Sequence, residues 1–201
     1  MLKRVRQILW TLTAFAGMGL AYLMFIGIDD GDHVMTMNNA SFKADFELTD
    51  HNGEIRTADE FKGKWLLVFF GFANCPDVCP TTLAEITAVM QSFGDRASDL
   101  QPLFISIDPE RDTPAALAEF IPRFDARIVG LTGSPEQIAR TKSNFRIFYE
   151  KIADENAPDG YAMGHSSQLF LFGPDSEYIR SWDYGTPAEE IIVELAKVVR
   201  S

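Results

Sequence analysis

Cysteine and histidine are both scarce in this chain. Cys75 and Cys79 are the only cysteines among 201 residues, and His33, His51 and His165 are the only histidines. Two cysteines exclude the disulfide-rich scaffold of many small secreted proteins. Tetrahedral zinc prefers four ligands, and the chain offers too few good ones for a structural zinc site. The two thiols remain candidates for exchanging electrons, for holding a metal or for stapling a loop.

Basic residues are also few. The chain has 18 Lys and Arg against 29 Asp and Glu, which gives a net charge of −11. Without the three basic residues at the N-terminus, the balance is 15 against 29, or about −14 for the rest of the chain. This acidic balance argues against binding to nucleic acid and against adhesion to anionic lipid. It suits a soluble domain, including one that meets a basic partner.

The N-terminus has a basic leader followed by a long uncharged run. Residues 1–7 contain three basic residues, and Ile8–Ile28 contains no charged residue. A helix of this length, at about 1.5 Å per residue, just crosses a hydrocarbon core of about 30 Å. Because basic leaders stay in the cytoplasm, the pattern predicts a transmembrane anchor at 8–28, a tether at 29–41 and an exported domain at 42–201.

A cleaved signal peptide is the competing interpretation of this segment. Its apolar region normally has about 7–15 residues and ends at a small-x-small cleavage site. The run here is longer, and residues 23–29 at its end offer no such site. We therefore expect a single-pass protein of the bacterial inner membrane, with its globular domain in the periplasm as a monomer.

After the tether, strand patterns alternate with helix patterns. Continuous apolar runs predict two buried strands, at 65–70 and 103–107. Apolar residues at helical spacing predict a helix at 82–93. Capping residues predict three more helices, which begin after Thr113, Ser134 and Thr186. The remaining predicted strands are a hairpin at 46–48 and 54–56, single strands at 127–131 and 145–149, and a hairpin at 167–172 and 178–182. The order predicts an α/β fold with a mixed sheet flanked by helices.

The two cysteines follow the first buried strand, in the sequence Asn-Cys-Pro-Asp-Val-Cys-Pro at 74–80. Sites in α/β sheets form outside the carboxyl ends of strands. Pro80 predicts the start of the next helix, whose dipole stabilises a nearby anion by about 0.3–1 kcal/mol. One pKa unit corresponds to about 1.4 kcal/mol, so the dipole alone lowers a thiol pKa by less than one unit. The dipole therefore helps to form a thiolate but does not specify a function.

The spacing of the thiols differs from that of ordinary dithiol oxidoreductases, which use Cys-x-x-Cys. A spacing of four residues brings both sulfurs to one face of a helical turn, where both can bind the same metal ion. Two thiolates and one imidazole match the preferences of copper. His33 and His51 have polar neighbours, and we expect both to be solvated. His165 precedes a predicted buried strand, where the alternative role is that of a hydrogen-bonded loop histidine.

Three segments resemble the SCO/SenC family. They read FGFANCPDVCP at 70–80, ISIDPERDTP at 105–114 and GLTGSPE at 130–136. The likeness extends from about residue 42 to residue 182 and includes the single N-terminal anchor. The resemblance implies a thioredoxin-like domain that binds copper, as Cu(I), Cu(II) or both, through Cys75, Cys79 and His165. One departure is Gly164, where many family members carry an acidic residue.

The resemblance also implies a function. Family members deliver copper to the dinuclear copper site in cytochrome c oxidase subunit II, or reduce the thiols of that site. A copper chaperone is our leading hypothesis, and a thiol–disulfide reductase that uses Cys75 and Cys79 is the second. A peroxiredoxin is disfavoured because Phe72 and Pro76 stand where that family has its proline and threonine. A purely structural disulfide is the remaining alternative.

Two aspartates are weaker candidates for supporting the site. Asp77 lies between the thiols and is a candidate for tuning their electrostatics, with a solvated turn aspartate as the alternative. Asp108 opens the Asp-Pro-Glu-Arg-Asp segment at 108–112, directly after a predicted strand. One expected role for Asp108 is to support the site from a second loop. The alternative role is to stabilise its own turn through salt-bridge contacts.

Overall fold

The computed structural model describes residues 42–155, 157 and 160–199. The predicted leader, the membrane anchor at 8–28 and the tether at 29–41 lie outside these described residues. No helix within the described ranges has the length and apolar character needed to cross a membrane.

The described chain contains strands and helices in alternation. The strands are β1 Glu47–Asp50, β2 Ile55–Thr57, β3 Trp65–Gly71, β4 Leu100–Ser106, β5 Val129–Thr132, β6 Tyr149–Ala153, β7 Tyr161–His165, β8 Leu169–Phe172 and β9 Tyr178–Trp182. The α-helices are α1 Val78–Phe93, α2 Pro114–Phe120, α3 Pro135–Phe145 and α4 Ala188–Val198. Short 3-10 helices occur at Ala58–Phe61, Gly94–Asp99 and Ile121–Arg123.

One mixed sheet organises the fold, with the strand order β2-β1-β5-β4-β3-β8-β9. Strand β3 pairs in parallel with β4 and antiparallel with β8, and β4 pairs in parallel with β5. The outer pairs are antiparallel. The predicted α/β fold with a mixed sheet is confirmed, and both predicted hairpins are present with slightly shifted ends.

The centre of the sheet is buried on both faces. Every residue of β3 from Leu66 onwards is buried, as the continuous apolar run predicts for a strand covered on both sides. Helix α1 buries one face against this core, and α4 packs against α1. Helix α2 packs against β5, and α3 packs against β1. The carboxyl ends of β3 and β4 therefore lie side by side at one edge of the buried centre of the sheet.

Strands β6 and β7 form a separate two-stranded antiparallel ribbon. The register pairs Tyr149 with His165 at one end and Ala153 with Tyr161 at the other. The ribbon connects α3 to β8. Within the described ranges, no strand pairing joins it to the seven-stranded sheet.

The predicted core strand at 145–149 is wrong. Phe145 is the last residue of α3, and Arg146 ends that helix with a left-handed backbone at φ 55°. Phe145 is buried among other aromatic rings, whereas Phe148 is 63% exposed. The apolar residues of this run therefore belong to a helix end and a loop, and only Tyr149 enters a strand.

Two of the three predicted helix caps are confirmed. Thr113 accepts a hydrogen bond from the Ala116 amide, and Ser134 forms a reciprocal capping box with Gln137. The third is wrong, because α4 begins at Ala188 and Thr186 makes no cap. The Thr186 hydroxyl instead donates to the Asp183 carbonyl at 2.8 Å, which stabilises a local turn before the helix.

Candidate metal centre

The thiol loop connects β3 to α1 at the carboxyl edge of the sheet. Helix α1 begins at Val78, two residues before the predicted Pro80, with Asp77 at the N-cap position. Cys79 is therefore in the first turn of the helix, and Cys75 lies in the preceding turn, where its amide donates to the Phe72 carbonyl at 3.2 Å. The relation of both cysteines to the helix start agrees with the sequence prediction.

The two cysteines are thiols in contact with each other. The Cys79 amide donates to Cys75 Sγ at 3.4 Å. Cys79 is fully buried, whereas Cys75 is only half-buried. The hydrogen bond with Cys75, together with burial, raises the pKa of the Cys79 thiol far above its ordinary value. The Cys79 thiol is therefore harder to deprotonate than a free cysteine, and a metal ion that binds it must displace the proton.

Gly71 at the end of β3 makes room for the buried thiol. A Cβ at this position would lie 2.8 Å from Cys79 Sγ and 2.9 Å from Phe104 Cε2. The residue remains part of the strand, since it pairs with Ser106. The apolar run at 65–70 ends just before this glycine, and the pattern assigns the glycine no role of its own. The available signal is that a glycine inside a strand pattern often marks a close approach.

The topology directs the chain that follows His165 towards the same edge of the sheet. Strand β8 begins at Leu169, which pairs antiparallel with Phe69 of β3. The chain that precedes Leu169 therefore runs past the carboxyl end of β3, where the thiol loop begins. His165 is the last residue of β7, only four positions before Leu169. Its side chain lies outside the described part of the structure, so the prediction that it is a ligand stays a prediction. Among the described side chains, no group of three metal-binding residues is present.

The segment from Asp108 to Asp112 forms a turn beside the thiol loop, because β4 and β3 are parallel neighbours. Asp108 is buried and accepts hydrogen bonds from Arg111 Nε and from the Tyr161 hydroxyl, the latter at 3.0 Å. Asp112 Oδ2 accepts the Ala73 amide at 3.0 Å. Asp108 therefore has the turn and salt-bridge contacts anticipated from sequence. It also reaches the β6–β7 ribbon, which the sequence does not reveal.

Asp112 also has a buried carboxyl group. Its Oδ2 accepts the Ser106 hydroxyl at 2.6 Å, and the Ser106 oxygen accepts the Asp108 amide at 3.0 Å. Desolvation raises the pKa of Asp112 above the ordinary aspartate value. The carboxylate thus fixes the backbone of the thiol loop and the end of β4 at once.

The other candidates have simpler environments. Asp77 is exposed and its side chain makes no capping hydrogen bond, so its prediction as a tuning residue stays untested. His51 is not simply solvated, because its Nδ1 accepts the Gly130 amide at 3.1 Å between β1 and β5. His33 lies outside the described residues. A Cβ at Gly164 would lie 3.1 Å from Ile152 Cδ1, so a larger residue there would require Ile152 to shift.

Comparison with known proteins identifies the relatives of this chain. The family model SCO1/SenC matches residues 34–200. The SCO2-like protein of Rickettsia felis is 37% identical over 155 residues, which cover 77% of this chain and 76% of that protein. Copper-bound ScoI of Bradyrhizobium japonicum is 36% identical with a TM-score of 0.71, and the match covers 78% of this chain and 99% of that chain.

A plant protein has the same fold. Copper-bound ScoI of Arabidopsis thaliana is 30% identical with a TM-score of 0.75, and the match covers 80% of this chain and 99% of that chain. The mixed sheet, the thiol loop and the helices thus form a thioredoxin-like fold of the Sco type. The match of the family model to most of the sequence, together with these identities, shows that the chain belongs to the SCO1/SenC family.

Proposed function

We propose that this protein is a membrane-anchored copper chaperone. Its exported domain binds copper through Cys75, Cys79 and His165 and assists assembly of the dinuclear copper site of cytochrome c oxidase, with subunit II as the acceptor. The observation that carries this proposal is the thiol pair at the carboxyl edge of β3, in a chain whose relatives include copper-bound Sco proteins.

The chemistry of the thiol pair suits copper as cargo. Thiolates are soft ligands that favour Cu(I) over harder divalent ions. Both cysteines lie at the start of α1, where the helix dipole favours the negative charge that a bound thiolate carries. Binding must displace the proton of Cys79, so copper affinity rises with pH.

The topology supports His165 as the third ligand. Only residues 166–168 separate it from β8, which pairs with β3 beneath the thiol loop. An imidazole is a common copper ligand and completes a three-coordinate set with two thiolates. The uncharged run at 8–28 supports a single anchor in the inner membrane, with the domain on the periplasmic side.

Copper binding by single-residue variants tests the ligand set. The full-length protein in detergent, with reduced thiols, should bind one copper per chain, and X-ray absorption should show two sulfurs and one nitrogen. Cys75→Ser, Cys79→Ser and His165→Ala should each weaken Cu(I) binding strongly in a competition with a chelator. His51→Ala is the matched control, because His51 bonds to Gly130 and should leave the affinity unchanged. Unaltered affinity in His165→Ala would refute the three-ligand set.

The unequal burial of the thiols favours a second candidate function, reduction of a disulfide in the acceptor. The half-buried Cys75 thiolate would attack one sulfur of the acceptor disulfide, forming a mixed disulfide and releasing the first acceptor thiolate. The Cys79 thiol would then pass its proton to the released acceptor thiolate and attack the Cys75 sulfur, which releases the second acceptor thiolate and leaves a Cys75–Cys79 disulfide. Cys79→Ser should trap the mixed disulfide with oxidised subunit II. The absence of any trapped species would exclude this reaction.

A further inference from the structure

The turn at 108–112 contacts both parts of the candidate centre. It is closed by the Asp112 amide, which donates to the Asp108 carbonyl at 2.9 Å. On one side, Asp112 holds the Ala73 amide of the thiol loop. On the other side, Asp108 accepts the hydroxyl of Tyr161, the first residue of β7. A single turn thus joins the thiol loop to the strand that ends at His165.

The ring of Tyr161 also has contacts, with two cationic side chains. Arg111 Cζ lies 4.0 Å from the ring centroid, and Lys151 Nζ lies 3.8 Å from it. Lys151 Nζ also pairs with Glu110 Oε2 at 2.8 Å, which ties the neighbouring strand β6 to the same turn. Two cations near one aromatic ring are favourable because the ring faces carry partial negative charge.

These contacts add to the packing of Tyr149 and Met163 of the ribbon against the hydrophobic core. Two-stranded ribbons are marginally stable by themselves. In the described chain, no strand pairing attaches β6–β7 to the seven-stranded sheet. The far end of the ribbon contacts α3, where Lys142 Nζ lies 4.3 Å from the Tyr149 ring. The contacts of Tyr161 therefore fix the ribbon against the side of the fold that carries the thiols.

We propose that Tyr161 is a positioning residue for the copper centre, because its hydroxyl on Asp108 and its ring beside Arg111 hold β7 and thereby place His165 beside the thiol loop. This inference rests on the proposed function, since it assumes that His165 binds copper. Asp108 and Arg111 act on the centre through Tyr161. The sequence marks the turn as part of the family signature but gives no sign of its partner on β7.

The test compares two tyrosines whose hydroxyl groups each form a hydrogen bond with another side chain. Tyr161→Phe removes the bond to Asp108 and keeps the ring. Tyr178→Phe is the matched control, because the Tyr178 hydroxyl lies 3.1 Å from Ser181 Oγ in an exposed hydrogen bond within β9. The measurements on the full-length protein in detergent are Cu(I) affinity by chelator competition, the reduction potential of the thiol pair, and backbone hydrogen exchange of residues 149–165.

We expect Tyr161→Phe to weaken Cu(I) binding about three- to tenfold, the range that corresponds to one lost hydrogen bond. Exchange of the ribbon amides should become faster, while the reduction potential stays at the wild-type value because the thiols are untouched. Tyr178→Phe should change none of these quantities. Adding Tyr161→Phe to His165→Ala should cause no further loss of affinity, since both changes act through the same ligand.

The outcomes separate the two proposals. If His165→Ala weakens binding and Tyr161→Phe does not, the positioning role is overturned and the ligand set survives. A further loss of affinity in the double variant, or a shifted reduction potential in Tyr161→Phe, would also overturn it, since the residue would then act elsewhere than on His165. If His165→Ala binds copper as tightly as the wild type, the three-ligand proposal fails and the role of Tyr161 falls with it.

Discussion

At the scale of single residues, Gly71 lies beside the thiol pair and leaves no room for a side chain. It lies at the end of a fully buried strand, where the Cys79 sulfur and two aromatic rings would all lie within about 3 Å of an added Cβ. Overpacking of this kind typically costs about 1–3 kcal/mol. We therefore expect Gly71→Ala to lower the free energy of unfolding by that amount and to speed alkylation of Cys79, because the thiol is pushed from its place.

Gly53→Ala is the appropriate comparison for Gly71→Ala. Gly53 lies in the β1–β2 turn at φ 87°, where an added Cβ meets no atom within 4 Å. That variant should lose stability through backbone strain alone and keep the wild-type alkylation rate, measured by mass spectrometry after timed labelling. Equal alkylation rates in the two variants would contradict the steric role of Gly71.

The raised pKa of Asp112 predicts how the free energy of unfolding changes with pH. Burial raises the pKa of this carboxyl above its ordinary value of 3.8. Its contribution to stability is therefore fully present below pH 3.8 and is lost as the pH rises through the pKa of the folded state. Asp112→Asn keeps an oxygen for Ala73 and Ser106 but carries no charge. We expect this variant to be more stable than the wild type at pH 7, with a difference that shrinks as the pH falls towards 4.

Asp125→Asn should show the opposite pH dependence. The free energy of unfolding of both variants and the wild type is measured by urea denaturation at a series of pH values. The hydrogen bond from Arg127 lowers the pKa of Asp125, so its contribution is present above the ordinary pKa and is lost as the pH falls. The variant should be less stable than the wild type at pH 7 and should approach it in acid. A pH-independent difference for Asp112→Asn would show that its carboxyl is not perturbed by burial.

Residues that carry chemistry stand out in the sequence, whereas residues that only shape the space around them do not. Cys75 and Cys79 stand out by type and spacing, and Asp108 stands out through its motif. The roles of Gly71 and Tyr161 depend on distances between segments that are far apart in sequence, such as the 53 positions between Tyr161 and Asp108. Only the folded backbone sets these distances.

At the scale of elements, helix starts provide a direct test of local signals. Ser134 and Thr186 both look like caps in the sequence, but only Ser134 accepts an amide of its helix, from Gln137 at 3.2 Å. Ser134→Ala should therefore cost about 1 kcal/mol in the free energy of unfolding. Thr186→Ala should cost less, because it removes only an exposed bond to Asp183. Urea denaturation measures both, and equal losses would count against the assignment of the caps.

The β6–β7 ribbon is the element that the sequence predicts least well. Its strands are mostly half-buried or exposed, so neither a continuous apolar run nor a clean alternation marks them. The apolar run at 145–149 predicts a core strand, but in the structure Phe145 is the last residue of a helix. Long, strongly apolar segments such as β3 are predicted well because burial on both faces leaves a plain signal in the sequence.

At the scale of the whole molecule, bound copper should stabilise the folded chain. A ligand at 1,000 times its dissociation constant adds about 4 kcal/mol when only the folded state binds it. For a chain of this size, that corresponds to a rise in Tm on the order of 10 °C. Calorimetry of the reduced protein should show this rise with Cu(I), and a Cu(I) chelator should reverse it. The Cys75–Cys79 disulfide form should show no rise, and a similar rise there would mean that copper binds elsewhere.

The order of strands in the sheet is a property of the whole molecule that local patterns do not contain. The sequence indicates a mixed sheet, but the placement of β8 beside β3 depends on pairing between residues about 100 positions apart, such as Phe69 and Leu169. This pairing determines which loops share an edge. The start of β8 therefore lies beside the carboxyl end of β3 because of the topology, and no local pattern predicts it.

The unequal burial of the two thiols has a consequence for the order of events. Cys79 is closed off from solvent, and Cys75 is not. An ion that arrives from solution meets the sulfur of Cys75 first and reaches Cys79 second. By microscopic reversibility, an ion that departs along the same route separates from Cys79 first. If the proposed function is correct, the acceptor would receive its ion from Cys75, and the unequal depth of the two side chains would set the order of the transfer.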